Sequence, residues 1–280
     1  MNPKKADRES WEMFFVGLFY ASLAIFLVNW IFSQDAVLFK YSGILVVTFT
    51  VMFSMPFMYY SIKNQEEKNT ETTGHLRLLK EHSKALTSFM WLFLGFVVAF
   101  SFWYITLNST QSFRAQIETY CMINRPANFE ECVTQYGVKG IAKTTAFLTA
   151  REKIVSIFAN NIYVLIFTLV FSLIFGAGAI FVLAWNASVI AAAVGIFSRS
   201  SLKSLPLGIA RYMIHGVPEI GAYFIGALAG GIISVSIIKH EVGTERFWKI
   251  LQDSLNLIII AVILLFIAAL IEVFVTPAVF

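Results

Sequence analysis

The chain has 280 residues, of which 58% are hydrophobic and only 14% charged, with a formal net charge of +4. A soluble domain of this size carries about a quarter charged residues, so composition and a mean hydropathy of +0.73 exclude an ordinary soluble globule and place the chain in a bilayer. The pI near 9.0 fits short basic loops that fix orientation at a membrane. No nucleic-acid partner is expected.

The first apolar run, Trp11 to Phe32, follows "NPKKADR" and is 22 residues long. A signal peptide has a shorter apolar core and a small-residue cleavage site behind it. This run ends in "NWIFSQD" and reads as a retained transmembrane helix. A second span covers Tyr41 to Ile62. The polar connection that follows has Leu76, Leu79 and Leu86 at helical spacing, an amphipathic lead into a third span from Phe89 to Leu107. Next comes the largest polar insertion, Asn108 to Ser156. A fourth apolar stretch starts at Ile157 and runs without a charge to Ser198. Two more spans cover Val217 to Ile238 and Leu255 to Val275, with Glu272 near the end of the last.

The uncharged stretch from Ile157 to Ser198 is 42 residues, too long for one helix and short for two spans with a full loop. One division turns the chain at "WNAS", Trp185 to Ser188, and makes Ala187–Phe197 a re-entrant half-helix. The other turns at Gly176-Ala177-Gly178 and makes two short spans. The first is preferred, because an Asn-Ala-Ser turn has loop chemistry, whereas a turn at the glycines would strand backbone groups in lipid. The expected fold is all-α: a polytopic membrane bundle of six spans plus a half-helix.

Charge counting orients the first half. With the N-terminus inside, the tail and the Lys63–Lys84 loop hold eight Lys and Arg, against Lys40 alone in the short outer loop. The reading is a multi-pass protein of the cell membrane with a cytoplasmic N-terminus. Beyond the third span, the Ser198–Tyr212 and Lys239–Lys249 loops carry three basic residues each, which decides nothing.

The Asn108–Ser156 insertion then faces outward. It holds the only cysteines, Cys121 and Cys132. Two cysteines on the oxidising side suggest a disulfide, with two unpaired thiols as the alternative. The segment has no histidine, which argues against zinc. "NST" at Asn108 is a glycosylation sequon on the matching side. A segment this short makes a cap of two or three helices and not an independent catalytic domain. The chain thus divides into a three-helix region, 1–107, a cap, 108–156, and a C-terminal membrane core, 157–280.

The stretch "HGVPEIGAYFIGALAGG", His215 to Gly231, puts a carboxylate at the door of a span. Pro218 suits the first turn of a helix, so the span is expected to begin at Val217 or Pro218. One reading makes Glu219 a first-turn anion beside water. The other follows geometry: Ala222, Gly226, Gly230 and Ser234 recur every four residues as a close-packing stripe. Glu219 lies near Gly226 and Gly230 on the helix surface, with His215 one turn away. A charge aimed into the bundle calls for a polar partner, with His215, Arg211 and the upstream asparagines as candidates. In the preceding stretch Asn161, Thr168, Ser172 and Ala179 share one face, with Gly176 adjacent, a pattern of helix contact or, second, of a water path.

"NNIYV", "FGAGAIFVLAWNASV" and "HGVPEIGAYFIGALAGGIIS" together resemble the stage II sporulation protein M family in its archaeal-type form, over roughly Ile154 to Val275. The resemblance carries the family pattern onto Asn160, Asn161, Gly176, Gly178, Asn186, His215, Gly216, Glu219 and Gly230. Many members have Asn-Gly where this chain has Asn186-Ala187. The two extra N-terminal spans lie outside the core that the resemblance covers. Sporulating members act as membrane components of a complex that recruits cell-wall hydrolases, so the resemblance implies a non-catalytic membrane scaffold.

No Gly-rich phosphate loop, HExxH or GxSxG is present. His215 and Glu219 could ligate a metal at i, i+4, but His75, His82 and His240 lie in separate loops and complete no set. The expectation is a scaffold or anchor in a membrane complex, with no enzyme activity, cofactor or metal. Its partners are the bilayer, other membrane or envelope proteins and a possible second copy. The alternative is a channel or transporter using the polar faces around Asn161, Asn186 and Glu219.

Overall fold

The computed structural model describes residues 10–66, 83–107, 111–124, 128–137, 149–175, 179–198 and 201–280. Every regular element among them is helical. The main helices are α1 (Glu12–Phe32), α2 (Ser42–Glu66), α3 (Ser83–Leu107), α4 (Arg114–Asn124), α5 (Phe129–Gly137), α6 (Ala150–Phe175), α7 (Ala179–Phe197), α8 (Leu205–Ile238) and α9 (Glu245–Leu270). A π turn, Ile271–Val275, and a last helical turn, Thr276–Val279, extend α9. Six helices are long and apolar enough to cross a membrane: α1, α3, α6, α7, α8 and α9. The apolar part of α2, Ser42–Phe57, is shorter.

Helices α1 and α3 run parallel and touch along their length. Trp103 donates its indole N–H to Ser22 Oγ at 2.9 Å, and Ser112 Oγ bonds Asn29 Oδ1 at 3.1 Å. Glycine makes the approach possible. A Cβ on Gly17 would strike the Leu92 carbonyl, and one on Gly95 would strike that of Phe14. Between α1 and α2, Asp35 caps a single turn, Ala36–Phe39, accepting from the Val37 and Leu38 amides at 2.9 and 3.0 Å.

After α3 come α4 and α5, joined by the disulfide Cys121–Cys132 and together called the cap below. Gln116 on α4 is 1% exposed. Its Nε2 donates to the Gly43 carbonyl at 2.9 Å and to Ser188 Oγ at 3.2 Å, pinning the cap to α2 and α7. Asn108, the expected sequon, lies outside the described residues, as do Leu76 and Leu79 of the expected amphipathic lead.

Three expected helix starts are corrected, each by local chemistry. Helix α6 begins at Ala150 and not at Ile157, because Thr149 and Glu152 form a capping box. Glu152 Oε2 accepts from the Thr149 amide at 2.7 Å, and Thr149 Oγ1 accepts from the Glu152 amide at 3.3 Å. Helix α9 begins at Glu245 and not near Leu255, capped by Thr244, whose Oγ1 accepts from Phe247 N at 3.2 Å. Helix α8 begins at Leu205, so its first-turn proline is Pro206, while Pro218 lies inside the helix. The first-turn reading of Glu219 is thereby overturned.

The re-entrant half-helix is also corrected. Helix α7 is continuous from Ala179 to Phe197 and passes through Trp185–Ser188 without a turn. Asn186 Nδ2 bonds back to the Val182 carbonyl at 2.7 Å and Ser188 Oγ to that of Trp185 at 2.7 Å, so these polar groups are satisfied within a helix. The division falls between Phe175 and Ala179. Because α6 starts early, its 26 residues rise about 39 Å by Phe175, more than the roughly 30 Å of hydrocarbon. The argument that a break there would leave backbone in lipid therefore lapses.

Helix α7 thus returns the chain to the cap side, where Gly195 lies against the Tyr104 ring. Helix α8 descends parallel to α6, and α9 comes back antiparallel to both, with Ser254 Oγ on the Ala229 carbonyl at 3.4 Å and Thr276 beside His215.

Candidate polar membrane centre

One polar ridge runs down α8: His215, Glu219 and Tyr223, each four residues from the next and therefore on one face. It meets α6 and the π turn. Asn161, 5% exposed, is the bridge. Its Nδ2 donates to Glu219 Oε1 at 2.6 Å, and its Oδ1 accepts from Tyr223 Oη at 3.1 Å and from Asn160 Nδ2 at 3.4 Å. An amide can do this because it carries a donor and an acceptor on one flat group. Tyr223 is 2% exposed, and a phenol that deep needs such a partner.

His215 is met from the other side. Its Nδ1 lies 3.2 Å from Thr276 Oγ1, while Thr276 Oγ1 donates to the Ile271 carbonyl at 3.2 Å. With the threonine proton committed to Ile271, the contact is satisfied when the histidine carries its proton on Nδ1. Glu272 sits in the π turn, its carboxylate within electrostatic reach of Glu219. The wider π turn lets the Thr276 amide reach Ile271, and such turns recur at functional sites. Immediately before Glu219, Pro218 supplies no N–H, so the Ile214 carbonyl loses its usual helical donor.

Below the ridge the small-residue stripe packs on α6. A Cβ on Gly226 would meet the Leu165 side chain, and one on Gly230 would lie 2.6 Å from the Leu169 carbonyl. Ala222 is fully buried and Ser234 nearly so. Ser172 Oγ crosses to the Ala227 carbonyl at 2.6 Å, a second bond between the two helices.

Of the candidates read from the sequence, the structure brings together Asn160, Asn161, Glu219 and His215, with Gly226 and Gly230 beneath them. Gly176 and Gly178 lie outside the described residues. Asn186 is a correction: its amide is bonded within α7, and it lines a separate recess with Tyr163 and Phe181. Arg211, considered as a partner of Glu219, instead lays its guanidinium 4.8 Å over the Phe197 ring. Sequence reading missed Tyr223, Thr276 and Gln116 and gave Glu272 no role. Tyr223 was signalled by its spacing from Glu219, and Glu272 by being a carboxylate in the last apolar run just before Thr276-Pro277. Among the described residues, no group of three or more His, Cys, Asp or Glu is placed to hold a metal ion.

Crossing apolar helices joined by a buried amide–carboxylate–phenol cluster define an integral, multi-pass helical membrane protein. Residues 36–277 match Stage II sporulation protein M (SpoIIM), and the chain belongs to that family. The match corrects the narrower extent read from the sequence. It takes in α2, α3 and the disulfide cap and leaves out α1 alone among the long helices. An uncharacterized protein of Methanocaldococcus jannaschii, MJ0793, is 34% identical over 128 residues, covering 44% of this chain and 70% of that protein. No solved structure matches this chain.

Proposed function

We propose that this protein is a non-catalytic membrane scaffold that anchors other proteins of a membrane complex. The observation that carries the reading is the bridge from Asn161 to both Glu219 and Tyr223. Asn161, Glu219 and Tyr223 are bonded to one another across two helices, as a clamp. Ser172 to Ala227 repeats the pattern lower down. A solute path needs polar groups free to exchange partners, whereas these lock α6 against α8. Membership of the family supports the same role.

The alternative, a channel or transporter, draws on the π turn and on two carboxylates within electrostatic reach of one another, Glu219 and Glu272. Reconstitution into liposomes separates the two. The scaffold reading expects no solute flux beyond that of empty vesicles, and a stoichiometric partner retained when the full chain is purified from its native membrane. Flux carried by the wild type and abolished by Glu219→Gln would defeat it.

A further inference from the structure

We propose that the segment Ile271–Phe280 is a strap closed over His215 of α8, and that the charge on Glu219 and Glu272 sets whether it stays closed. Most of the segment lies on the outside of the bundle. Phe274, Val275 and Val279 are 55%, 41% and 60% exposed, and Thr276, at 4%, is its one buried residue. The contact of Thr276 Oγ1 with His215 Nδ1, at 3.2 Å, is also its one side-chain hydrogen bond to another helix among the described residues. The strap is latched at a single point.

Its root is the weak point of the helix. The π bond takes the Thr276 amide to the Ile271 carbonyl in place of that of Glu272, and Pro277 has no N–H to offer Val273. Two successive carbonyls therefore lack their usual helical donor, and helices bend where the ladder is interrupted in this way.

Charge opposes the latch. The extension of α9 runs antiparallel to α8, and Thr276 meets His215. Four residues onward along α8 is Glu219, and four residues back along the extension is Glu272. Both carboxylates thus lie about one turn from the same contact, in the same direction, and within electrostatic reach of each other. The other ionisable groups that sense them are Tyr212, which Glu272 reaches, and Tyr223, which both reach. Tyr212 is in turn hydrogen-bonded to Tyr120 of the cap. Arg211 acts on Tyr212 and His215 but is stacked over the Phe197 ring, and α6 meets the cluster with the uncharged amides of Asn160 and Asn161. Two enclosed like charges with no cation between them repel. With one carboxyl protonated the Thr276 latch holds, and with both ionised the strap swings off His215 about its π root. The inference concerns access to the polar centre and stands apart from the scaffold role.

The test uses the full chain in lipid nanodiscs, with spin labels at Val217→Cys on α8 and Val279→Cys on the strap. Both positions are exposed, and the native cysteines are already paired. The distance between the labels is measured from about pH 5 to about pH 9, a range in which buried carboxylates ionise. One short distance is expected at the acid end, and a second, longer by about one helical turn, roughly 5 Å, grows in as the pH rises. Thr276→Val should populate the longer distance about tenfold more at the acid end, the range of interhelical hydrogen bonds in membranes. Glu272→Gln and Glu219→Gln should each keep the strap closed across the range. A wild-type distance that does not change with pH would overturn the proposal, as would a longer component that survives in Glu272→Gln or an acid-end population unchanged in Thr276→Val. The Glu272 side chain makes no hydrogen bond among the described residues, so Glu272→Gln removes charge without removing a partner. If Glu219→Gln fails to fold, Glu272→Gln decides by itself.

Discussion

Asn161 donates to Glu219 at 2.6 Å across the α6–α8 junction while the same amide accepts from Tyr223 at 3.1 Å. One carboxamide thereby holds a carboxylate and a phenol that lie four residues apart on the facing helix. The cluster fixes both the rotation of α8 and its height against α6, which apolar packing alone leaves slack.

Removing the amide should therefore weaken the junction more than removing either bond. Asn161→Ala leaves Glu219 and Tyr223 both without their partner and is expected to lower stability by about 2–3 kcal/mol, against about 1 kcal/mol for Tyr223→Phe. Thermal or denaturant unfolding in detergent, followed by near-ultraviolet absorbance, reads the difference. Equal losses would mean that Asn161 does not bridge.

The glycines beneath the cluster should separate by what their added methyl meets. Gly230→Ala places a Cβ 2.6 Å from the Leu169 carbonyl, which is backbone, while at Gly221 the nearest atom is Leu264 Cδ2 at 3.6 Å. Gly230→Ala should cost about 1–3 kcal/mol and Gly221→Ala close to nothing. Gly226→Ala should fall between, because the Leu165 side chain it meets can rotate away. The same unfolding assay ranks the three.

Reducing the cap should loosen it without unfolding the bundle. Cys121 and Cys132 close a loop with a sequence separation of 11, for which chain entropy gives about 2–3 kcal/mol. Cys121→Ser with Cys132→Ser should raise hydrogen exchange and protease cleavage in α4 and α5 and leave α8 and α9 protected. Loss of protection throughout would mean that the cap is required for the whole fold.

The pin between cap and membrane core is Gln116. Gln116→Leu removes the donor to the Gly43 carbonyl and to Ser188 Oγ, and should destabilise by about 1–3 kcal/mol. Its signature is local: faster exchange in α4 and at the first turn of α2, with the disulfide intact. Unchanged exchange at both would show that the cap is held by apolar packing alone.

The amino-acid sequence by itself determined that this chain is a helical membrane protein, because runs of apolar residues of bilayer length leave the backbone no other way to satisfy its hydrogen bonds. It also pointed to the cysteine pair, as the two thiols of one outward segment, and to the close packing at Gly226 and Gly230, from their spacing along the helix, while the pairing itself is seen in the structure. Only tertiary structure decided where helices begin and which polar groups meet. Thr149 and Glu152 moved the start of α6, and that in turn carried its end to Phe175 and made α7 a full crossing. Glu219 took Asn161 as its partner, although the two are far apart in sequence, because the register of α6 and α8 is set by packing across the bundle. Asn186 looked like a turn residue and is a helical one, since a carboxamide can bond its own helix as readily as end it.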